Sequence, residues 1–186
     1  MKTLMNIMKF KTSLKESLLN NIENTISAGD NDVKRYEVIK FLEDNYSIRG
    51  GKEFTISAKP NKNGLFEVSA DGDVYITNKE LNKLTNDLFI FKRVDFFSCA
   101  WTKINSLEGA PVECNTLDCS GSLITDLIGC PKKIHKLNCT QCGRLKTLKG
   151  CSKNVRELVL AYCYSLKSLN GVPRSCYDLN TDGLNF

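Results

Sequence analysis

One histidine, His135, is all that a chain of 186 residues carries. A Ser-His-Asp or Cys-His arrangement, and most zinc enzymes, need a histidine held by a partner. Ile134 and Lys136 set His135 beside a strand, where a solvated or half-buried ring is the expectation and a ligand or base role is not. No GxxxxGK[ST], GxGxxG or GxSxG segment occurs, so a phosphate cradle, a dinucleotide turn and a nucleophile elbow all lack their sequence. No run of eighteen apolar residues is present, and a membrane-spanning helix is not expected. The opening stretch "MKTLMNIMKFKTSLKESLL" has its apolar run broken by Asn6 and Lys9, and no small-residue cleavage site follows. It is expected to be mature protein with Met5 and Met8 as alternative starts, and the location expected is cytoplasmic.

Cysteine, by contrast, is abundant at nine residues. The number is odd and no secretory signal accompanies it, so the thiols are expected to be reduced and to serve as small apolar core groups. "CTQC" (Cys139, Cys142) is one CxxC without a second pair at zinc spacing and without a strand–helix redox context. No metal and no cofactor are expected. Asp71 and Asp73 flank a glycine and read as a turn, with no second acidic pair to make an acid/base site. Charge is uneven: between Asp126 and Ser175 lie ten Lys or Arg against two acids, although the whole chain is only +5.

The informative feature is a repeat. "FFSCAWTKINSLEGAP" and "LDCSGSLITDLIGCP" share a cysteine, an Ile five residues on, a Leu eight on, a Gly ten on and a Pro twelve on. In register, Phe97, Leu117, Leu137 and Leu158 form one column, and Cys99, Cys119, Cys139 and Leu160 the next. Ile104, Ile124, Leu145 and Leu166 follow, then Leu107, Leu127, Leu148 and Leu169, and Gly109, Gly129, Gly150 and Gly171. Pro111, Pro131 and Pro173 close three units, with Ser152 in the fourth. "TLDCS" alternates polar and apolar, as a short half-buried strand does. Ile124 and Leu127 turn inward on an irregular or 3₁₀-like return, Gly129 permits the reversal and Pro131 fixes the next approach. One such unit cannot bury its own apolar side, so stacked units with a parallel sheet are expected. Cys114, Cys142, Cys163 and Cys176 fall outside the cysteine column.

Val74, Ile76, Leu81 and Leu84 precede Phe97, Cys99, Ile104 and Leu107 by 23 each, which predicts a degenerate capping unit. "EFTISA" and "GLFEVSA" around "KPNKNG" predict a β-hairpin, and "CYDLNTD" starts a last strand at Leu179. Leu14, Leu18, Ile22 and Ile26 recur every four residues, and Gly29 stops that helix. Asp30 or Asp32 caps a second helix with the stripe Val33, Tyr36, Ile39 and Leu42 or Phe41, which "SIRGGK" ends as a hinge. The expected fold is α+β: an N-terminal helical hairpin over 1–50, a β-hairpin and capping repeat over 51–93, and a small solenoid over 94–186.

The units, especially "SLEGAP", "LDCSGSLITDLIGCP" and "LNCTQCGRLKTLKGC", resemble a short leucine-rich repeat of roughly 20 residues. More narrowly, they resemble repeat proteins encoded by large tailed bacteriophages, over about residues 71–180. "LVLAYCYSL" departs from the pattern by replacing Cys-Ser with Leu160 and Ala161. The resemblance implies a binding scaffold with no reaction of its own. It further implies an accessory protein of the bacterial host cytoplasm that binds and inhibits a host protein, such as an antiviral defence enzyme or toxin.

Two surfaces are candidates. Outward residues of the strand ladder run Phe96 and Ser98, Thr116 and Asp118, Lys136 and Asn138, Glu157 and Val159, Asp178 and Asn180. Trp101 follows its strand directly and Tyr162 sits at the matching position. Phe96, Trp101, Asp118, Asn138, Glu157 and Tyr162 are thus the expected protein-binding set, since aromatic and charged groups on a rigid face supply binding hot spots. The alternative is nucleic acid held by a basic flank of Arg144, Lys146, Lys149 and Lys167, with Lys153 and Arg174 nearby.

Overall fold

The computed structural model describes residues 30–50 and 53–184. The chain divides into two compact units, 1–36 and 37–186. The helix expected around Leu14, Leu18, Ile22 and Ile26, and so the helical hairpin, lies outside the described residues. The fold of the second unit is α+β, with one helix running into a parallel-rich sheet that winds through a β-solenoid of about five turns.

Helix α1 spans Asp30–Asn45. Its buried face follows the expected stripe only in part: Leu42 is buried and Tyr36, Ile39 and Phe41 are half-buried. Val38, Leu42 and Asn45, spaced i, i+4, i+7, are buried, whereas Val33 stays 49% exposed. The helix end sets this rotation. Asn45 Nδ2 donates to the Phe41 carbonyl (2.9 Å), Asn45 Oδ1 accepts from Asn78 Nδ2 (2.8 Å), and the Asn45 carbonyl accepts from the Thr77 N–H (2.9 Å). These bonds satisfy carbonyls that a helix end leaves open and fix which side faces the sheet.

"SIRG" is not a hinge. Strand β1, Tyr46–Arg49, follows the helix at once and pairs antiparallel with β3, Phe66–Ile76. β2, Phe54–Ile56, pairs with the earlier half of β3, Phe54 opposite Ala70 and Ile56 opposite Val68, which is the expected hairpin. Its loop is tied by Asn61 Oδ1, which accepts from the N–H groups of Asn63 (2.9 Å) and Leu65 (3.2 Å). Asp71 and Asp73 are likewise not in a turn. β3 runs straight through Gly72, with register shifts against its parallel neighbour between Ala70 and Asp73. A Cβ on Gly72 would stand 2.8 Å from the Arg49 carbonyl. The glycine therefore marks the close approach of β1.

From β3 onward every neighbour is parallel: β4 (Phe89–Ser98), β5 (Glu113–Asp118), β6 (Lys136–Asn138), β7 (Glu157–Val159) and β8 (Asp178–Asn180). Val74, Phe97, Leu117, Leu137, Leu158 and Leu179 stand opposite one another across the ladder. That is the register the sequence columns predict, including the capping unit 23 residues ahead. The returns consist of turns and bends, with no 3₁₀ helix among the described residues. Each closes with an i+3 bond: Ala110 N–H to Leu107 (2.9 Å), Cys130 to Leu127 (3.1 Å), Cys151 to Leu148 (3.0 Å) and Val172 to Leu169 (3.1 Å). The glycine at the third position has φ near +90° in the first three of these turns, as a type II turn requires.

Phe97, Leu117, Leu137 and Leu158, with Ile104, Ile124, Leu107, Leu127 and Leu145, are 0% exposed. An aromatic group closes the β1–β4 end, where Phe91 meets Phe89 (5.1 Å), Tyr46 (5.3 Å) and Phe97 (5.3 Å) edge-on. Every cysteine proves to belong to a column. Cys114 stacks with Val94, Ile134 and Val155, and Cys142 and Cys163 continue Thr102 and Ser122, all buried. The column of Thr102, Ser122, Cys142 and Cys163 was hidden because Thr, Ser and Cys alternate in it, whereas that of Val94, Cys114, Ile134 and Val155 is apolar throughout and its repeat was overlooked.

Candidate functional site

Each strand of the solenoid ends in a tight turn, and the turns line up along one edge. Their first residues are the inward Cys99, Cys119, Cys139, Leu160 and Thr181. Cys119, Cys139, Leu160 and Thr181 accept an i+3 backbone bond from Ser122 (3.1 Å), Cys142 (3.0 Å), Cys163 (3.2 Å) and Leu184 (3.1 Å). The third residue of each turn has positive φ: Trp101 (56°), Gly121 (64°), Gln141 (57°), Tyr162 (60°) and Gly183 (73°). A non-glycine residue in this region costs about 1–2 kcal/mol. The surrounding lattice holds it there: N–H groups of Trp101, Gly121, Gln141 and Tyr162 each donate 2.8 Å to the carbonyl of Ser120, Thr140, Ala161 and Asp182 on the next coil.

Two of the strained residues are large and exposed, Trp101 by 62% and Tyr162 by 42%. Both rings lie against a glycine of the next coil. A Cβ on Gly121 would stand 2.4 Å from Trp101 Cε3, and one on Gly183 would stand 2.5 Å from Tyr162 Cδ1. The rings are thus supported from beneath and wet above. Tyr164, 65% exposed, lies beside Tyr162 with ring centroids 6.2 Å apart.

The other expected binding residues have local work. Asp118 Oδ1 accepts from the Ser120 N–H (3.1 Å) and from Asn138 Nδ2 (3.0 Å), and Asn138 Oδ1 accepts from the Thr140 N–H (3.0 Å). These are the side-chain turns that start each edge loop. Phe96 packs on Tyr75 (5.4 Å), whose other neighbour is the Arg49 guanidinium 4.4 Å from the ring centre. Glu157 receives Lys136 Nζ (3.1 Å) and faces His135 Nε2 (3.2 Å), and these two hydrogen bonds hold its carboxyl below the usual range. Tyr177 Oη also approaches His135 Nε2, at 3.4 Å. The structure therefore brings Trp101 and Tyr162 to one edge as free surface, and gives Phe96, Asp118, Asn138 and Glu157 partners of their own. Gln141, in the same edge column, was missed. Its only sequence signal was its place two after Cys139, in line with Gly121 and Gly183.

Arg144, Lys146, Lys149, Lys153, Lys167 and Arg174 are exposed, and among the described residues none of them forms an ion pair.

The thiols are a packed set rather than an open site. Cys119 Sγ lies 3.5 Å from Cys139 Sγ, and Cys142 Sγ lies 3.1 Å from the Cys119 carbonyl. Burial pushes Cys114, Cys151 and Cys163 up to about 12 and Cys130 to about 11. Hydrogen bonds given to Cys139 and Cys142 raise Cys119, and hydrogen bonds received from Cys119 and Cys139 lower Cys142. Exposure governs reaction here, since reagent must reach the sulfur. Native alkylation followed by mass mapping is expected to label Cys130, Cys151 and Cys176 first, while Cys99, Cys119, Cys139, Cys142 and Cys163 react only after denaturation. Native labelling at Cys119 or Cys139 would contradict the packing.

Among the described residues, no helix is long and apolar enough to cross a membrane. No family model, curated protein or solved structure matches the chain.

Proposed function

We propose that this protein is a non-enzymatic binding scaffold that holds another protein against the solenoid edge carrying Trp101 and Tyr162. The observation that carries this reading is the pairing of strain with exposure. Two bulky aromatic residues occupy a backbone region that favours glycine, at equivalent turns, with most of Trp101 in solvent. Strain of this kind persists where the surrounding structure over-determines it, and it clusters at binding and active sites. A rigid ring seated on backbone loses little freedom on binding and suits a hot-spot role. The units are read as short leucine-rich-like repeats. Following their resemblance to repeat proteins of large tailed bacteriophages, the partner proposed is a protein of the bacterial host, such as a defence enzyme or toxin, inhibited by coverage.

The test is affinity purification from expressing bacteria followed by titration of the recovered partner. Trp101→Ala with Tyr162→Ala is expected to weaken binding roughly 30- to 1000-fold, corresponding to about 2–4 kcal/mol. Lys146→Ala with Lys167→Ala is expected to change mainly association rate and its salt dependence. Folding of both is checked by the thermal midpoint. If the lysine pair abolishes binding and the aromatic pair leaves it intact, the edge is not the site.

The six unpaired basic residues favour a second reading, a nucleic-acid-associated protein using the basic flank. Affinity carried by phosphate contacts falls steeply with salt, whereas an aromatic protein interface loses far less.

A further inference from the structure

Among the described residues, the solenoid is covered at one end and open at the other. At the first end β1 and β2 cover β3 as an antiparallel edge, and Phe41 of helix α1 lies by Tyr46 of β1 with ring centroids 6.4 Å apart. At the far end β8 is the last strand, and nothing among the described residues pairs with its free side. In each earlier coil the inward residue after the strand donates its N–H to the next coil: Cys99 to Asp118 (2.8 Å), Cys119 to Asn138 (2.9 Å), Cys139 to Val159 (2.8 Å) and Leu160 to Asn180 (2.8 Å). Thr181 stands at that position in the last coil and its N–H has no acceptor among the described residues. Strand alternation turns the Leu179 N–H and carbonyl the same way. Apolar surface accompanies the open backbone, with Leu179 37% and Tyr177 69% exposed.

We infer that this edge joins a second copy of the chain about a two-fold axis through Leu179. The residues of the last coil are self-complementary in an antiparallel pairing and not in a parallel one. Leu179 meets its own symmetry mate and exchanges both backbone bonds with it. The free Thr181 N–H meets the Tyr177 carbonyl of the other copy. Asp178 stands opposite Asn180, an acceptor against an amide. The coil also begins positive, at Arg174, and ends negative, at Asp182. Arg174 forms no ion pair among the described residues. Antiparallel pairing turns the loop that carries Arg174 in each copy towards the loop that carries Asp182 in the other. A parallel continuation would stack like charges coil on coil. This inference stands apart from the Trp101 edge and does not depend on it.

The contact is small, since β8 has three residues. An interface below the usual size is weak, so dissociation on the order of 10–100 μM is expected. Sedimentation equilibrium of the full chain from roughly 1 to 300 μM, spanning that constant on both sides, is expected to show mass rising from 20.9 kDa towards twice that value. Thr181→Pro deletes the free N–H without removing a bond inside the coil, and is expected to weaken association at least tenfold with the thermal midpoint held. Arg174→Asp alone and Asp182→Arg alone are expected to weaken it, and the two together to restore it. A single 20.9 kDa species across the whole range overturns the inference. So does a dimer indifferent to Thr181→Pro and to charge reversal, because that dimer uses another face.

Discussion

Gly129→Ala is expected to destabilise the protein by about 2–5 kcal/mol, while Gly171→Ala, at the same position of a later coil, costs only about 1–2 kcal/mol. Both glycines hold positive φ, +91° and +102°, so both substitutions place an alanine in the left-handed region. That shared cost is partly offset by the loss of glycine's freedom in the unfolded chain, worth about 0.4–1 kcal/mol. What differs is the neighbour. A Cβ on Gly129 would stand 2.3 Å from the Glu108 nitrogen and 2.3 Å from the Leu107 carbonyl carbon, both backbone atoms of the preceding coil. On Gly171 the nearest atom is Leu148 Cβ at 3.2 Å. Backbone held in a hydrogen-bonded stack cannot step aside as a side chain can, so only Gly129→Ala forces two coils apart. Urea unfolding followed by circular dichroism measures both. Equal losses would mean that the glycine column serves the turn alone and not the approach of one coil to the next.

This pair also shows how far the sequence carried. The glycines announced a turn, because a type II turn needs positive φ at its third residue. They could not announce that coils touch there, since that depends on the stacking distance. The inward columns from Phe97 to Leu158 were legible in full, because each is apolar in every unit and a period of 20 or 21 residues survives insertion of one. The second turn, at the strand end, was hidden. Its left-handed position holds Trp101, Gln141 and Tyr162 as well as Gly121 and Gly183, and a column of such mixed chemistry leaves no repeat to find. Trp101 and Tyr162 were nevertheless placed at matching positions from the register alone. Asp118 and Asn138 looked like free face residues because their backbone partners, two residues on, appear only once the turn is formed. "SIRG" and "ADGD" misled for one reason: glycine beside charge signals a loop unless another strand is pressed against it, and β1 pressed against β3 is a tertiary fact.

Leu148→Ala is expected to cost about 2–5 kcal/mol, and Thr125→Ala, on the return of the preceding coil, less than about 1 kcal/mol. Leu148 is 1% exposed and lies in the column of Leu107 and Leu127, both fully buried. Truncation removes its apolar burial and leaves a cavity between coils. The neighbours cannot collapse into it easily. The Leu127 N–H is held to the Lys149 carbonyl at 2.8 Å, and the Lys146 N–H to the Thr125 carbonyl at 2.9 Å, so coil spacing is fixed by backbone on both sides of the gap. Cost rises with how much of the cavity remains, which places Leu148 towards the upper part of the range. Thr125 takes part in that lattice through its carbonyl, which alanine keeps, and its side chain is exposed. A solenoid transmits stability from neighbour to neighbour, so a mid-stack lesson of this kind should also lower cooperativity. Urea denaturation of Leu148→Ala is therefore expected to show a lower midpoint together with a shallower transition, as the coils beyond the cavity loosen ahead of the rest. A shift in midpoint with unchanged slope would mean that the whole stack unfolds as one unit. Equal midpoint losses for Leu148→Ala and Thr125→Ala would mean that the register of inward columns is wrong.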